Sequence, residues 1–332
     1  MLRKILYPFS LLYALVVRLR NLAYDKGWFS SKTYDTPTIC VGNLSVGGTG
    51  KTPMIEFLIR MFSSGFKSQK IAVLSRGYKR SSKGYQLAEN TSSVLEIGDE
   101  PYQIYQKFPE VAVAVDADRR NGISTLERTI APDLILLDDA FQHRKVKATL
   151  YILLTAYGKL YVDDLYLPAG NLRDHKVSAK RADIIVVTKC PPHLSKNEKQ
   201  RVIERLKPRA YQRLVFSYLE YGKAIYGENG PQELAVLGTD ITLVTGIADP
   251  APLVAYLKGL GLNVTHLKFP DHHSFSAADL ERINTKSQVL TTEKDYVRLK
   301  GNVSELYYLP IAHRFFKPDD EVFEKWVMET VA

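Results

Sequence analysis

The octapeptide Ser45-Val46-Gly47-Gly48-Thr49-Gly50-Lys51-Thr52 has the residue types and order of a loop that wraps phosphate. Glycines let backbone N–H groups close around phosphate oxygens. The terminal lysine reaches the outer phosphates, and the hydroxyl after it ligates Mg²⁺. The flanks agree. Residues 38–41 are an apolar run that reads as a buried strand, and residues 54–61 are amphipathic and read as a helix. The start of that helix adds a positive dipole end beside the anion. Ser45 stands where the usual first glycine belongs, and Gly47 and Gly48 compensate in part. Pro53 falls in the first helical turn, where a missing N–H costs little. A glycine-rich turn with a chance Lys-Thr is the plain alternative. A partner motif downstream argues against it. Residues 45–52 are thus the candidate ATP-binding loop, with Lys51 as catalytic cation and Thr52 as metal ligand.

That partner is an apolar run, 134–137, ending in Asp138 and Asp139. Phosphate-loop enzymes hold the Mg²⁺ shell with an acid at such a strand end; a solvated strand end is the alternative. Gln142 and His143 follow within one turn, where they face either the cleft or the protein interior. Arg76 follows a second strand and Arg119 a third. Arginines there suit a further phosphate or a developing charge, unless they are ordinary surface cations. Gly98-Asp99-Glu100-Pro101 carries adjacent acids. Asp99 either accepts a hydroxyl proton during phosphoryl transfer or simply caps a helix. Phe269-Pro270-Asp271-His272-His273 lacks the further clustered ligands of a metal site. A histidine that pairs with a carboxylate suits it better. The Pro/Gly-punctuated loop 167–174 offers Asn171 and Arg173 to a substrate. Thr188-Lys189-Cys190-Pro191 resembles the start of a guanine-reading loop, but Pro191 stands where the guanine-reading Asp belongs. That argues against a GTPase.

The elements that must position these groups alternate along the chain. Short, near-continuously apolar runs at 38–41, 70–74, 111–115, 134–137, 150–154 and 184–187 read as strands buried on both faces of a parallel sheet. Helical segments between them imply βαβ units and a doubly wound, P-loop NTPase-type α/β fold. A second series, 214–219, 241–244, 264–267, 289–290 and 306–309, implies a smaller α/β domain. The expected division is an interfacial helix at 1–28, a kinase domain at 29–217 and the smaller domain at 218–332. Ligands of open α/β sheets sit beyond the carboxyl ends of the strands, where the polar residues above fall.

The 332 residues suffice for two domains with full cores. A formal charge of +9 favours anionic partners without choosing among them. Cys40 and Cys190 both fall in expected strands, which suits a reducing compartment without a disulfide framework. Residues 5–17 carry no charge and are flanked by Arg3, Lys4, Arg18 and Arg20. Thirteen residues are too few to span a bilayer, which takes roughly 20. A signal peptide lacks its small-residue cleavage site here. A buried core helix is a second possibility. An interfacial helix, with apolar side chains in lipid and Arg/Lys at the headgroups, is preferred. Tyr7, Tyr13, Tyr24, Trp28 and Phe29 suit that boundary.

Taken together, these pieces resemble the tetraacyldisaccharide 4'-kinase (lipid A 4'-kinase) family of Gram-negative bacteria. They are the basic-apolar N-terminus, Val41-Gly42-Asn43 leading into the phosphate loop, Ser75-Arg76-Gly77-Tyr78, Gly98-Asp99-Glu100-Pro101 and Asp138-Asp139-Ala140-Phe141-Gln142-His143. Leu167-Pro168-Ala169-Gly170, Val187-Thr188-Lys189, Phe269-Pro270-Asp271-His272-His273 and Thr292-Glu293-Lys294-Asp295 complete the set. Asn171 and the Arg173-Asp174 pair depart from the family's usual residues there. The resemblance implies transfer of the ATP γ-phosphate to the 4'-hydroxyl of a tetraacylated glucosamine disaccharide 1-phosphate. It implies attachment to the cytoplasmic face of the inner membrane, with no nucleic acid and no obligate protein partner. Asp99 is then the general base paired with His272. Thr52, Asp138 and Asp139 organise Mg²⁺, and Arg76, Arg119, Gln142, His143, Asn171 and Arg173 position phosphate or sugar. A partitioning-type ATPase is a rival, but its signature Lys before the paired glycines is Val46 here. A nucleotide-dependent membrane adaptor, binding ATP without phosphorylating anything, is another.

Overall fold

The computed structural model describes residues 2–65 and 69–331. Apolar runs of four to seven residues fold into strands because both their faces are covered. β1 (Thr38–Asn43), β2 (Ile71–Ser75), β5 (Leu134–Asp138) and β7 (Ile184–Thr188) are buried at every position. With β3 (Gln86–Leu87), β4 (Ala112–Val115), β6 (Leu150–Ala156) and β8 (Arg213–Tyr221) they build most of a nine-stranded sheet. Smaller strands follow: β9 (Ala224–Gly227), β10 (Gly230–Glu233), β11 (Asp240–Thr245), β12 (Asn263–Lys268), β13 (Val289–Thr292), β14 (Leu306–Leu309) and β15 (Ile311–Phe315). The large sheet runs β15-β8-β7-β6-β1-β5-β2-β4-β3, and a six-stranded sheet runs β10-β9-β14-β13-β11-β12. The central strands of both are parallel, as the α/β expectation required.

β1 lies between β5 and β6, so the loop after β1 and the acids ending β5 emerge side by side. Two apolar layers cover the large sheet. Leu58, Ile59 and Phe62 of the Lys51–Gly65 helix fill one; Ile123, Leu126 and Phe141 fill the other. The smaller sheet has its own core around Leu243, Leu257 and Leu290.

The expected boundary at 218 differs from the observed sheet membership. β15 pairs antiparallel with β8, and Phe323 and Val327 of the Asp319–Val331 helix bury in the large core. The chain leaves the large sheet after β8, builds the small sheet from residues 224–309, and returns. The reason is topological: β8 would be an edge strand without β15. Four strands, β3, β9, β10 and β15, had no sequence-based expectation. They are short or half-exposed and lack a continuous apolar run.

The N-terminal segment forms a helix at Tyr7–Asp25 that rests on the body through Ser10, Val17, Asn21 and Ala23. Ser10 and Asn21 are buried. Phe9, Leu12 and Val16 are exposed, at 63%, 61% and 58%. No helix among the described residues is long and apolar enough to cross a membrane.

Candidate active site

Residues 44–50 join β1 to the Lys51–Gly65 helix. Gly50 sits at φ +86°, where a Cβ would also meet the His313 ring at 2.9 Å; glycine is therefore required there. Side chains hold the loop from beneath. Asn43 Nδ2 donates to Thr49 Oγ1 at 2.8 Å and to the Gly47 carbonyl at 3.4 Å. Thr188 Oγ1 donates to the Thr49 carbonyl at 2.8 Å. His313 on β15 lies 3.0 Å from the Gly50 carbonyl through Nε2, and its Nδ1 lies 3.1 Å from Ser217 Oγ. Burial pushes His313 down to about 4, so at neutral pH it is an uncharged ring that donates to one partner and accepts from the other.

The two acids differ sharply. Asp138 is buried; its Oδ2 accepts from Ser75 Oγ at 3.2 Å, while its Oδ1 is buried without a partner. Burial, then the charges of Glu100 and Asp139, push Asp138 up to about 7. Asp139 instead accepts both terminal nitrogens of Arg173 and lies 3.8 Å from Lys51 Nζ. Burial opposes its ionisation, yet Lys51 and Arg173 hold it down to about 2. An orphaned, desolvated carboxylate oxygen suits a hard divalent cation. Asp138 is thus the acid with an oxygen to offer, and Asp139 the one already paired. Among the described residues no three His, Cys, Asp or Glu side chains gather into a metal cage.

The second cluster crosses between the two sheets. Asp99 opens the Asp99–Lys107 helix after Gly98, whose φ is +91°. Its Oδ2 accepts from His272 Nδ1 at 3.0 Å and from Arg298, and Lys294 Nζ lies 3.8 Å away as an ion-pair partner. Burial alone would raise Asp99, but His272, Lys294 and Arg298 outweigh it and hold the carboxyl well below the usual carboxylate range. His272 adopts a left-handed φ of +56°, uncommon for a side chain of that size, and its Nε2 lies 3.0 Å from Lys294 Nζ. Tyr78 packs edge-on against the His272 ring at 5.1 Å. Lys294 also reaches Glu100 at 3.4 Å, and Glu100 acts on Asp138. The acid pair after β5 and the base-like pair thus border one cleft.

The expected substrate residues separate into two groups. Arg76 is exposed, one residue past the end of β2. Arg119 is buried and donates to the Asp116 and Asp138 carbonyls at 3.0 and 3.4 Å; burial pushes it down to about 10. Gln142 donates to the Asn43 carbonyl at 2.7 Å. His143 is pushed down to about 4 by burial and by Arg119, with Asp118 3.8 Å away. Asn171 faces the N-terminal helix, accepting from Arg3 at 3.1 Å, and its carbonyl accepts from Val46 N–H at 2.8 Å. Arg173 bridges Asp139 and Asn43. Its loop closes tightly on itself: a Cβ on Gly170 would lie 2.1 Å from the Leu165 carbonyl oxygen.

Sequence reasoning missed Arg298 and His313. Arg298 had a signal, since Lys294 and Arg298 are four apart after an apolar strand and share one helix face. His313 had none, because a lone histidine in a strand does not show which neighbour it will meet.

Comparisons with known proteins converge. A family model described as "Tetraacyldisaccharide-1-P 4'-kinase" matches residues 2–332. A tetraacyldisaccharide 4'-kinase of Flavobacterium johnsoniae is 52% identical over 322 residues, covering 95% of this chain and 93% of that one. Its counterpart in Parabacteroides distasonis is 43% identical over 351 residues, covering 99% and 94%. The crystal structure of LpxK from Aquifex aeolicus, in complex with ATP, superposes with a TM-score of 0.81 at 31% identity over the whole of both chains. The chain belongs to the tetraacyldisaccharide-1-P 4'-kinase family and is an ATP-dependent kinase of lipid A biosynthesis.

Proposed function

We propose that the cleft between the two sheets runs the phosphoryl transfer with the following division of roles. The backbone of residues 45–52 binds the ATP phosphates, and Lys51 neutralises the charge that builds as the bridging oxygen departs. Thr52 and Asp138 would hold Mg²⁺, while Asp139 fixes Lys51 and Arg173 around the site. When bound, the cation supplies charge neutralisation across the transferred phosphoryl group. Asp99 and His272 act as one unit that accepts the proton of the 4'-hydroxyl; Arg298 and Lys294 keep that unit ionised and oriented. Arg76 reaches the anionic acceptor from the lip. The unit of residues 224–309 carries His272, so its approach completes the site and excludes water. The observation that carries this reading is the cross-unit Asp99–His272 pair beside an orphaned Asp138 oxygen.

The acceptor carries acyl chains and lives in a bilayer. The Tyr7–Asp25 helix meets the body through Ser10, whose hydroxyl accepts from Ala169 N–H at 2.9 Å, and through Asn21, which donates to Asp174 at 2.7 Å. Its apolar side faces outward, as an interfacial helix requires. This supports a peripheral enzyme on the cytoplasmic face of the inner membrane, with the helix beside the loop that flanks the site.

Incubating the purified chain with γ-labelled ATP, Mg²⁺ and acyl-disaccharide 1-phosphate, followed by thin-layer separation, tests the reading. Label should move to the lipid; label released only as inorganic phosphate would reject it. Replacing Leu12 and Val16 together by Asp should abolish co-sedimentation with anionic vesicles, and undiminished sedimentation would reject the helix as anchor.

A further inference from the structure

The three helices that carry the reacting groups meet a second time, at Lys107. On the Lys51–Gly65 helix, Glu56 and Arg60 follow Thr52 at steps of four. On the Asp99–Lys107 helix, Gln103 and Lys107 follow Asp99 at the same steps. Residues so spaced share a helix face. Glu293 opens the Glu293–Leu299 helix, which supplies Lys294 and Arg298 to Asp99 from the small-sheet unit.

Lys107 Nζ donates to Glu56 Oε2 at 2.7 Å and lies 2.5 Å from Glu293 Oε1. Gln103 Nε2 donates to Glu56 Oε1 at 2.9 Å, and a terminal nitrogen of Arg60 donates to Oε2 at 3.0 Å. Both carboxylates and Gln103 are buried. Burial, then the charge of Glu56, push Glu293 up to about 7, against the pull of Lys107. The two acids repel each other, and the ammonium between them joins them. Their support is unequal. Glu56 keeps Gln103 and Arg60 without Lys107. Among the described residues, Lys107 is the only cation within ion-pair distance of Glu293. A cavity of about 250 Å³, lined in part by Gln103, Lys107, Glu293, Tyr226 and Tyr308, opens beside the bridge. Packing between the units is incomplete on that side, so interdigitated side chains do not fix their spacing there.

We propose that Lys107 is a positioning residue of the transfer: by joining Glu56 of the phosphate-loop helix to Glu293 of the small-sheet unit, it sets how closely His272, Lys294 and Arg298 approach Asp99. Lys107 lies two helical turns from Asp99, roughly 12 Å along the axis, and therefore acts through the Asp99 unit and not on the reacting atoms. This rests on the roles proposed above for Asp99 and His272.

Transfer of label from ATP to acyl-disaccharide 1-phosphate, with ATP affinity from equilibrium dialysis, tests it on the full-length protein. Lys107→Met keeps the stem and removes the ammonium. It should lower kcat by roughly 10–10²-fold, since a misplacement of about 1 Å at the reacting groups costs that order. The ATP Kd should change less than about twofold, because Glu56 retains two donors. Glu293→Ala leaves Lys107 paired with Glu56 and strands no carboxylate, so it guards against a Lys107→Met protein that fails to fold; it should lower kcat in the same way. Adding Glu293→Gln to Lys107→Met removes the repulsion and offers Glu56 an amide donor, and should recover at least about fivefold in kcat. In an Asp99→Ala background, Lys107→Met should cost less than about twofold more, because the group it positions is already gone. Unchanged kcat in both Lys107→Met and Glu293→Ala overturns the proposal. So does equal loss of ATP affinity, a double variant with no recovery, or an undiminished further loss in the Asp99→Ala background, each of which makes the bridge a structural tie. Full kcat in Asp99→Ala alone would instead reject the proton-acceptor reading, and with it the route assigned to Lys107.

Discussion

The phosphate end and the acceptor end of this cleft are built on different principles. The phosphate end comes from one sheet. Its proposed donors are mainly backbone N–H groups on a contiguous octapeptide, and that octapeptide is braced by Asn43, Thr188 and His313 at 2.8–3.0 Å. The acceptor end comes from side chains 173 residues apart in sequence, Asp99 and His272, joined across two sheets by Arg298 and Lys294. The first is fixed once its own sheet folds. The second exists only while the two units are together. Binding should therefore follow the first region and turnover the second, and variants that break this separation would break the comparison.

The largest effect falls on the acceptor end. On the proposed roles Asp99→Ala removes the carboxylate of the proton-accepting unit, and kcat should fall by roughly 10²–10⁴ with ATP affinity nearly unchanged. His272→Ala should lower kcat less, and the double variant should be no worse than Asp99→Ala alone, because the two act as a unit. Additive losses would show two independent roles. Lys51→Ala comes next, with a loss of roughly 10²–10³ in kcat. Unlike the first it should also weaken ATP, since Lys51 belongs to the binding region. Full activity in isotopic transfer assays would undo the phosphate-loop assignment.

Arg298 sharpens the comparison through pH. It is one of three cations holding Asp99 ionised against burial. Arg298→Met removes one of them, so the Asp99 carboxyl rises toward its ordinary value and the acid limb of the kcat/KM profile moves to higher pH. Activity at pH 8 should fall much less than at about pH 4, near the ordinary carboxylate value. A profile displaced uniformly, with no movement of the acid limb, would make Arg298 a tie between units and nothing more.

The difference between the two ends also explains what could be read from residues alone. The octapeptide, the Leu134–Asp138 strand with its acids, and most strands of both sheets were legible because their signals are local: glycine spacing, a basic residue at a helix start, apolar runs of strand length. Asp99 and His272 were each visible as a polar turn after or before a regular element. Their pairing rested on a family resemblance, because nothing local says which distant carboxylate a histidine will meet. The paired state of Asp139, Arg173 and Arg119 was illegible for the same reason: Arg173 is drawn to Asp139 by the closure of the 167–174 loop against Leu44 and Val46. The return of β15 to the large sheet followed from an edge that needed a partner, and an edge is a property of the assembled sheet.

The smallest effect probes whether the phosphate end is as self-sufficient as its backbone donors make it look. His313 enters it from the last strand, so the loop depends on chain that follows the small sheet in sequence. Burial pushes it down to about 4, below its ordinary value of 6.5. The folded state therefore binds fewer protons than the unfolded chain between those values, and stability is full above about pH 6.5 and lost as pH falls toward 4. At pH 5 the loss is about 2 kcal/mol by linkage. His313→Gln keeps a donor and an acceptor and removes the titration. Denaturant melts at pH 7 and pH 5 should show wild type losing about 2 kcal/mol more than the variant over that interval. Parallel losses would mean that the ring is protonated in place without breaking its bond to Gly50, and that the loop stands on Asn43 and Thr188 alone.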